Sequence, residues 1–295
     1  RARGSGTARG PGPARYRTHL LGHPVPVSWL RPLGQTGLTV SALGLGTVKL
    51  GRDKGVKYPA EFTLPDDRAA RSLLDLARDL GINLIDTAPA YGSSEERLGE
   101  LLAGQRDDWV ICTKVGEEFV DGRSHFNFTP EHTRFSVERS LERLRCDCLD
   151  VVLVHSDGND LDIVKRLGTL EALAALKQEG KLRSFGLSGK TVEGGLAALP
   201  LCDLLMVTYN LAERDQSPVL DACADSGKGV LIKKALASGH LDSLPGGANN
   251  TEADPVAASM ELVLGHPATT AAVVGTITPG HLRNNVDAAL RALAG

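Results

Sequence analysis

Eight short runs rich in apolar and β-branched residues alternate with helical patterns along the 295-residue chain, and few architectures accommodate that repeat. The runs fall at 41–47, 82–87, 109–114, 150–156, 183–189, 203–210, 229–234 and 270–276. Several are continuously apolar, as strands covered on both faces of a parallel sheet are. The stretches between them are amphipathic. Residues 66–81 place Leu73, Leu76 and Leu80 on one helical face and close on Gly81, while 129–144 opens with Thr129 and Pro130, a helix start signal. Eight strand–helix units in about 250 residues predict a (β/α)8 TIM barrel. An open doubly wound sheet would need a Gly-rich phosphate loop after its first strand. Here Gly44 and Gly46 lack the third glycine of G-x-G-x-x-G, because position 49 is lysine. Residues 30–40 read as a β-hairpin turning at Gly34–Gly37 that closes the barrel bottom. The domain plan is thus a basic Gly/Pro/Arg-rich extension over 1–28 and a single barrel domain over 29–295.

Charge is spread unevenly. No Asp or Glu precedes Asp53, whereas residues 53–295 hold 25 basic and 36 acidic side chains, a net charge of −11. An acidic body argues against nucleic acid as a partner, since phosphate contacts need a clustered basic face. No apolar run approaches the roughly 18 to 20 residues of a membrane span. The basic front lacks the apolar core of a secretory signal, and the five cysteines follow no disulfide framework. The expectation is a cytoplasmic protein with reduced thiols, Cys146 and Cys148 included. The front itself reads either as a loose extension or as an arm packed on the acidic body.

In such barrels chemistry sits at the C-terminal strand ends. The second run ends at Asp86 and leads to Tyr91, the third ends at Lys114, and the fourth reaches His155. Any one of these is compatible with a structural role; four converging on one rim carry a desolvation cost that packing alone does not explain. A phenol is a weak acid, with an ordinary pKa near 10. A neighbouring ammonium would lower it, so Lys114 is expected to make Tyr91 a better proton donor, with Asp86 aiming Lys114 and His155 orienting the acceptor oxygen. An acid without a nucleophile or metal cluster suits protonation of a carbonyl oxygen as hydride arrives from a bound cofactor.

These residues and their order resemble the aldo-keto reductases. The resemblance runs from about Leu30 to Leu293 and rests on the opening at 31–47, on Asp86-x-x-x-x-Tyr91-Gly92, on Thr113-Lys114, on Leu153–Ser156 and on Gly186–Ser188. It implies NAD(P)H-dependent reduction of aldehydes and ketones by the tetrad Asp86, Tyr91, Lys114 and His155. NADPH is the family default and NADH the variant.

The resemblance also places a cofactor site, with departures. Gly46, Thr47 and Asp86 lie at its floor. The usual Ser-Asn after strand five is Ser188-Gly189, and the Gln of strand six is Met206. The aromatic and serine after strand seven are replaced by Lys233 and Lys234, of which strand alternation sends one inward. Leu236 and Ser238 match pyrophosphate-lining positions. Gly275, Thr276, Asn284 and Asn285 match the adenosine-phosphate segment. Gly275 and His281 stand where NADPH-preferring members carry Lys and Arg, and Arg283 is the nearby substitute. Tyr58, Phe119, Phe126 and Phe128, in loops after strands one and three, are candidates for an apolar substrate wall; these rings would equally serve to anchor the loops. Residues 241–255 read as a lid or a connection. The partner expected is a small carbonyl compound, in a monomer or weak homo-oligomer, without membrane or nucleic acid. The reading from another class is a cofactor-binding sensor with little turnover, suggested by the altered positions 189, 206 and 233.

Overall fold

The computed structural model describes residues 19–56, 58–240 and 254–295. Eight parallel strands close into a barrel in chain order: β1 (Leu43–Gly46), β2 (Leu84–Asp86), β3 (Val110–Val115), β4 (Leu149–His155), β5 (Leu182–Ser188), β6 (Leu204–Thr208), β7 (Gly229–Lys233) and β8 (Ala271–Gly275). The ring is completed by β8 against β1, with Gly275 beside Gly46. Every strand lies within one residue of its predicted run. Around them run α1 (Asp67–Asp79), α2 (Ser94–Leu101), α3 (Pro130–Arg143), α4 (Thr169–Gln178), α5 (Val192–Ala198), α6 (Ser217–Ser226), α7 (Pro255–Gly265) and α8 (Pro279–Ala294). Their starts follow local chemistry. Asp66 accepts from the Ala69 amide ahead of α1, and Thr129 accepts from His132 ahead of α3, each satisfying a helix-end donor.

Strand alternation divides the core in two. Ile85, Ile111, Val152, Val207 and Ile232 face the helices, while Leu84, Cys112, Leu153, Met206 and Leu231 fill the barrel interior. The predicted hairpin is present as Leu30–Pro32 paired antiparallel with Thr39–Ser41. Its Leu33, Leu38 and Val40 join the interior cluster and are buried. Burying each leucine there contributes about 2 kcal/mol. The floor is therefore apolar, and polar side chains collect at the opposite mouth.

Of the segment assigned to an extension, residues 1–18 lie outside the described residues. Leu20 is buried against the same cluster as Trp29, and His23 Nε2 lies 2.8 Å from Asp287 Oδ1 on α8. Most of the lid candidate, residues 241–253, is likewise outside the described residues. Among those described, no helix is long and apolar enough to cross a membrane, and no group of three His, Cys, Asp or Glu side chains converges as a metal site. All five cysteines are free thiols.

Candidate active site

The inward position nearest the C-terminal end of each strand forms one layer across the mouth: Gly46, Asp86, Lys114, His155, Ser188, Thr208, Lys233 and Gly275. Tyr91 joins it from the turn Pro89–Tyr91 that follows β2. That turn presses on residues 48–51 so closely that a Cβ on Gly92 would lie 2.1 Å from the Gly51 carbonyl oxygen, and Gly92 itself adopts φ +60°. The glycine after Tyr91 is thus what lets the phenol fold back over the strand ends.

Lys114 Nζ donates to Asp86 Oδ1 at 2.6 Å, to the Thr87 carbonyl at 2.8 Å and to the Tyr91 hydroxyl at 3.2 Å. Tyr91 Oη lies 3.4 Å from Asp86 Oδ2. Burial alone would discharge Lys114, but the Asp86 carboxylate outweighs it and holds the ammonium charged. Tyr91 differs from expectation. Burial first, and the Asp86 charge second, push the phenol above its ordinary value, and the pull of Lys114 only partly offsets them. The structure therefore presents a firmly protonated phenol.

His155 stands edge-on to Tyr91, ring centroids 6.3 Å apart. Burial lowers its pKa, against the opposing influence of Glu117, whose Oε2 lies 2.7 Å from Nδ1. Glu117 overcomes its own burial through His155, Ser124 and Arg52 and falls to about 2. Sequence reasoning did not single out Glu117; its position three residues beyond Lys114 was the available signal.

On the other side of the mouth, Lys233 is the inward lysine. Its Nζ donates to Ser188 Oγ at 3.0 Å and to the Gly189 carbonyl at 2.7 Å. Burial, then the neighbouring Lys190, bring it down to about 7. Lys234 faces away, leaves the strand at φ +55° and pairs with Glu213 at 3.3 Å, so alternation removes it from the mouth. A side chain at Gly189 would be tightly placed, because a Cβ would sit 3.2 Å from Asp160 Oδ2. That carboxylate is occupied by Thr191 Oγ1 and the amides of Lys190 and Thr191. Met206 is buried in the interior cluster, and Thr47 Oγ1 is spent on the Asp86 carbonyl at 2.9 Å. Thr276 Oγ1 accepts from the Thr278 amide; Asn285 is buried on α8 and Asn284 exposed beside it. Leu236 and Ser238 are half-buried in the turn after β7, Ser238 at φ +56°.

The aromatic candidates separate. The Tyr58 hydroxyl reaches over the β1–β8 junction, 3.5 Å from where a Gly275 Cβ would be, with Lys49 over its ring at 4.1 Å. Phe119 lies under the Arg52 guanidinium at 3.4 Å. Phe126 stacks on Phe128, which is buried in the outer core against Gly116. Tyr58 and Phe119 thus stand by the mouth, and the other pair anchors a loop.

The Aldo/keto reductase family profile matches residues 42–256. A Pseudomonas aeruginosa structure described as an aldo-keto reductase is similar at TM-score 0.80 and 59% identity, over 90% of this chain and 95% of that one. L-galactose dehydrogenase from Arabidopsis thaliana is 40% identical over 54% of this chain, and the match spans 48% of that relative, about half its length. NADH-specific methylglyoxal reductase from Escherichia coli is 31% identical over 74% of this chain and 72% of its own length. The chain belongs to the aldo/keto reductase family.

Proposed function

We propose that this aldo/keto reductase moves hydride reversibly between a nicotinamide cofactor and the carbonyl carbon of a small aldehyde or ketone, with Tyr91 as the proton donor. The observation that supports this most directly is the buried contact set of Lys114 with Asp86 and Tyr91 at the mouth. The residues fit such a cofactor. Gly46 and Gly275 leave a side-chain-free cradle under the Tyr58 hydroxyl, and Lys233 and Ser188 offer donors on the facing side. Those two groups meet the carboxamide that Gly189 and Met206 cannot, and Thr276, Asn284 and Asn285 face the adenosine end.

The bound cofactor supplies or accepts the hydride. The chain's own residues handle the proton. Tyr91 holds it on Oη, where neither burial nor Asp86 lets it dissociate until negative charge develops on a substrate oxygen alongside. Lys114 then stabilises the phenolate, and Asp86 keeps Lys114 charged and aimed. His155 orients the substrate.

NADPH is the reading carried over from the family. NADH is the second, favoured by Gly275 and His281, which bring no strong cation to a 2′-phosphate. The test is a fluorescence titration with each cofactor, followed by Tyr91→Phe. Loss of about 10²-fold or more in kcat with unchanged cofactor affinity is expected; undiminished turnover would refute Tyr91 as the acid.

A further inference from the structure

Lys233 carries an ammonium for which the described residues provide no counter-ion. Its Nζ donates to two uncharged acceptors, Ser188 Oγ at 3.0 Å and the Gly189 carbonyl at 2.7 Å. Two of its three N–H groups are spent there. The charged groups that act on it come from several elements. Lys190 after β5, Lys114 on β3 and Lys234 beyond β7 oppose its charge, and Asp160 after β4 favours it. That carboxylate is already filled: Ser156 Oγ donates to Oδ1, while the Lys190 and Thr191 amides and Thr191 Oγ1 donate to Oδ2. On either side in the layer, Thr208 of β6 and Gly275 of β8 bring no charge. The Lys233 side chain is only partly buried, so the mouth reaches it.

The same ammonium faces the catalytic tetrad. Lys114 acts on Lys233, and Lys233 in turn opposes protonation of His155. A nicotinamide ring that exchanges hydride with a carbonyl at Tyr91 therefore comes within reach of the Lys233 charge. The oxidised ring is positively charged and the reduced ring is neutral. Two like charges a few ångströms apart repel far more strongly in a sheltered mouth than in water. The aromatic side chain expected after β7 would bring no such charge.

We propose that Lys233 selects the redox form of the cofactor: the site holds NADH or NADPH more tightly than NAD+ or NADP+, which favours both loading of the reduced form and release of the oxidised one. This rests on the reading of the mouth as a nicotinamide site. The reduced form offers a neutral ring and a carboxamide oxygen to the remaining N–H. The oxidised form sets a cation against a cation that has no counter-ion of its own. Because burial and the neighbouring lysines bring Lys233 down to about 7, the preference is largest in acid. It fades as pH rises through and beyond that value, where a neutral amine no longer senses the ring charge.

The test is isothermal titration calorimetry with NADH, NAD+, NADPH and NADP+, without a carbonyl substrate. Within each pair the phosphate is the same, so the ratio of dissociation constants isolates the ring charge. At about pH 6.5 the wild-type Kd of the oxidised form is expected to exceed that of the reduced form by about tenfold or more, and at about pH 9.5 by no more than about threefold. Lys233→Met is expected to keep the ratio within about threefold at both pH values, and Lys233→Arg to preserve the large ratio at both, since a guanidinium stays charged. Near pH 7, titrations in buffers of different ionisation enthalpy are expected to show proton release with NAD+ and proton uptake with NADH in the wild type. A wild-type ratio near one at about pH 6.5, or a ratio that Lys233→Met leaves unchanged, overturns the proposal while the cofactor site stands. The wild-type ratio and proton counts decide the matter even if a variant does not fold. Absence of binding by all four would instead refute the nicotinamide reading itself.

Discussion

Two lysines at the mouth have opposite electrostatic situations, and each has its own consequence. Lys114 and Asp86 are almost fully buried and compensate one another. Lys114→Met leaves an unpaired carboxylate in the barrel and is expected to destabilise the fold by about 3–5 kcal/mol, measured by urea unfolding. Among the described residues no carboxylate pairs with Lys233, and its pKa is depressed to about 7, so the unfolded chain binds the proton more tightly than the folded one. The resulting penalty on stability is fully present below about pH 7. It is relieved as pH rises from there toward the ordinary lysine range, by up to about 1.4 kcal/mol per pH unit. Lys233→Met is therefore expected to stabilise the protein in acid and to lose that advantage in base. Parallel unfolding curves for the two proteins across the pH range would show the opposite.

At the level of elements, the closing hairpin carries the clearest mechanical burden, because Leu33, Leu38 and Val40 are the floor beneath the polar layer. Leu33→Ala opens a cavity between the hairpin and the barrel interior and is expected to cost about 2–5 kcal/mol, seen as a lower urea midpoint at unchanged slope. The hairpin and all eight strands were legible in sequence because short apolar, β-branched runs and turn glycines are local signals. The placement of Asp86, Lys114 and His155 was legible for the same reason, each being the last inward residue of its strand. Which of Lys233 and Lys234 points inward was not, since it depends on strand β7 ending at Lys233 and the chain turning to positive φ at the next residue. Nor was Glu117 visible as the neighbour of His155: that contact joins two strand ends 38 residues apart through a hairpin whose fold depends on Arg52 from a third loop. The reversed influence on Tyr91 is the same kind of miss, because burial has no sequence signature at a single position.

For the whole molecule, the question is whether a mouth without the family's Asn and Gln still binds a nicotinamide cofactor strongly enough to govern the fold. The electrostatics favour it. The body from residue 53 onward carries a net charge of −11, yet Lys233 at the mouth has Lys190 and Lys114 near enough to act on it, with Asp160 opposing them. Such a field draws an anionic ligand to the mouth and weakens with salt. A ligand that binds only the folded state at about a hundred times its Kd stabilises by about 2.7 kcal/mol. For a domain of this size that raises the melting temperature by roughly 5 °C. Saturating NADH or NADPH is expected to produce that shift, to a smaller extent as ionic strength rises, and Lys233→Met is expected to reduce it for both. Equal shifts in Lys233→Met and wild type would mean that the lysine is a bystander. No shift with either cofactor would mean that replacing Asn by Gly189 and Gln by Met206 has closed the site to nicotinamide.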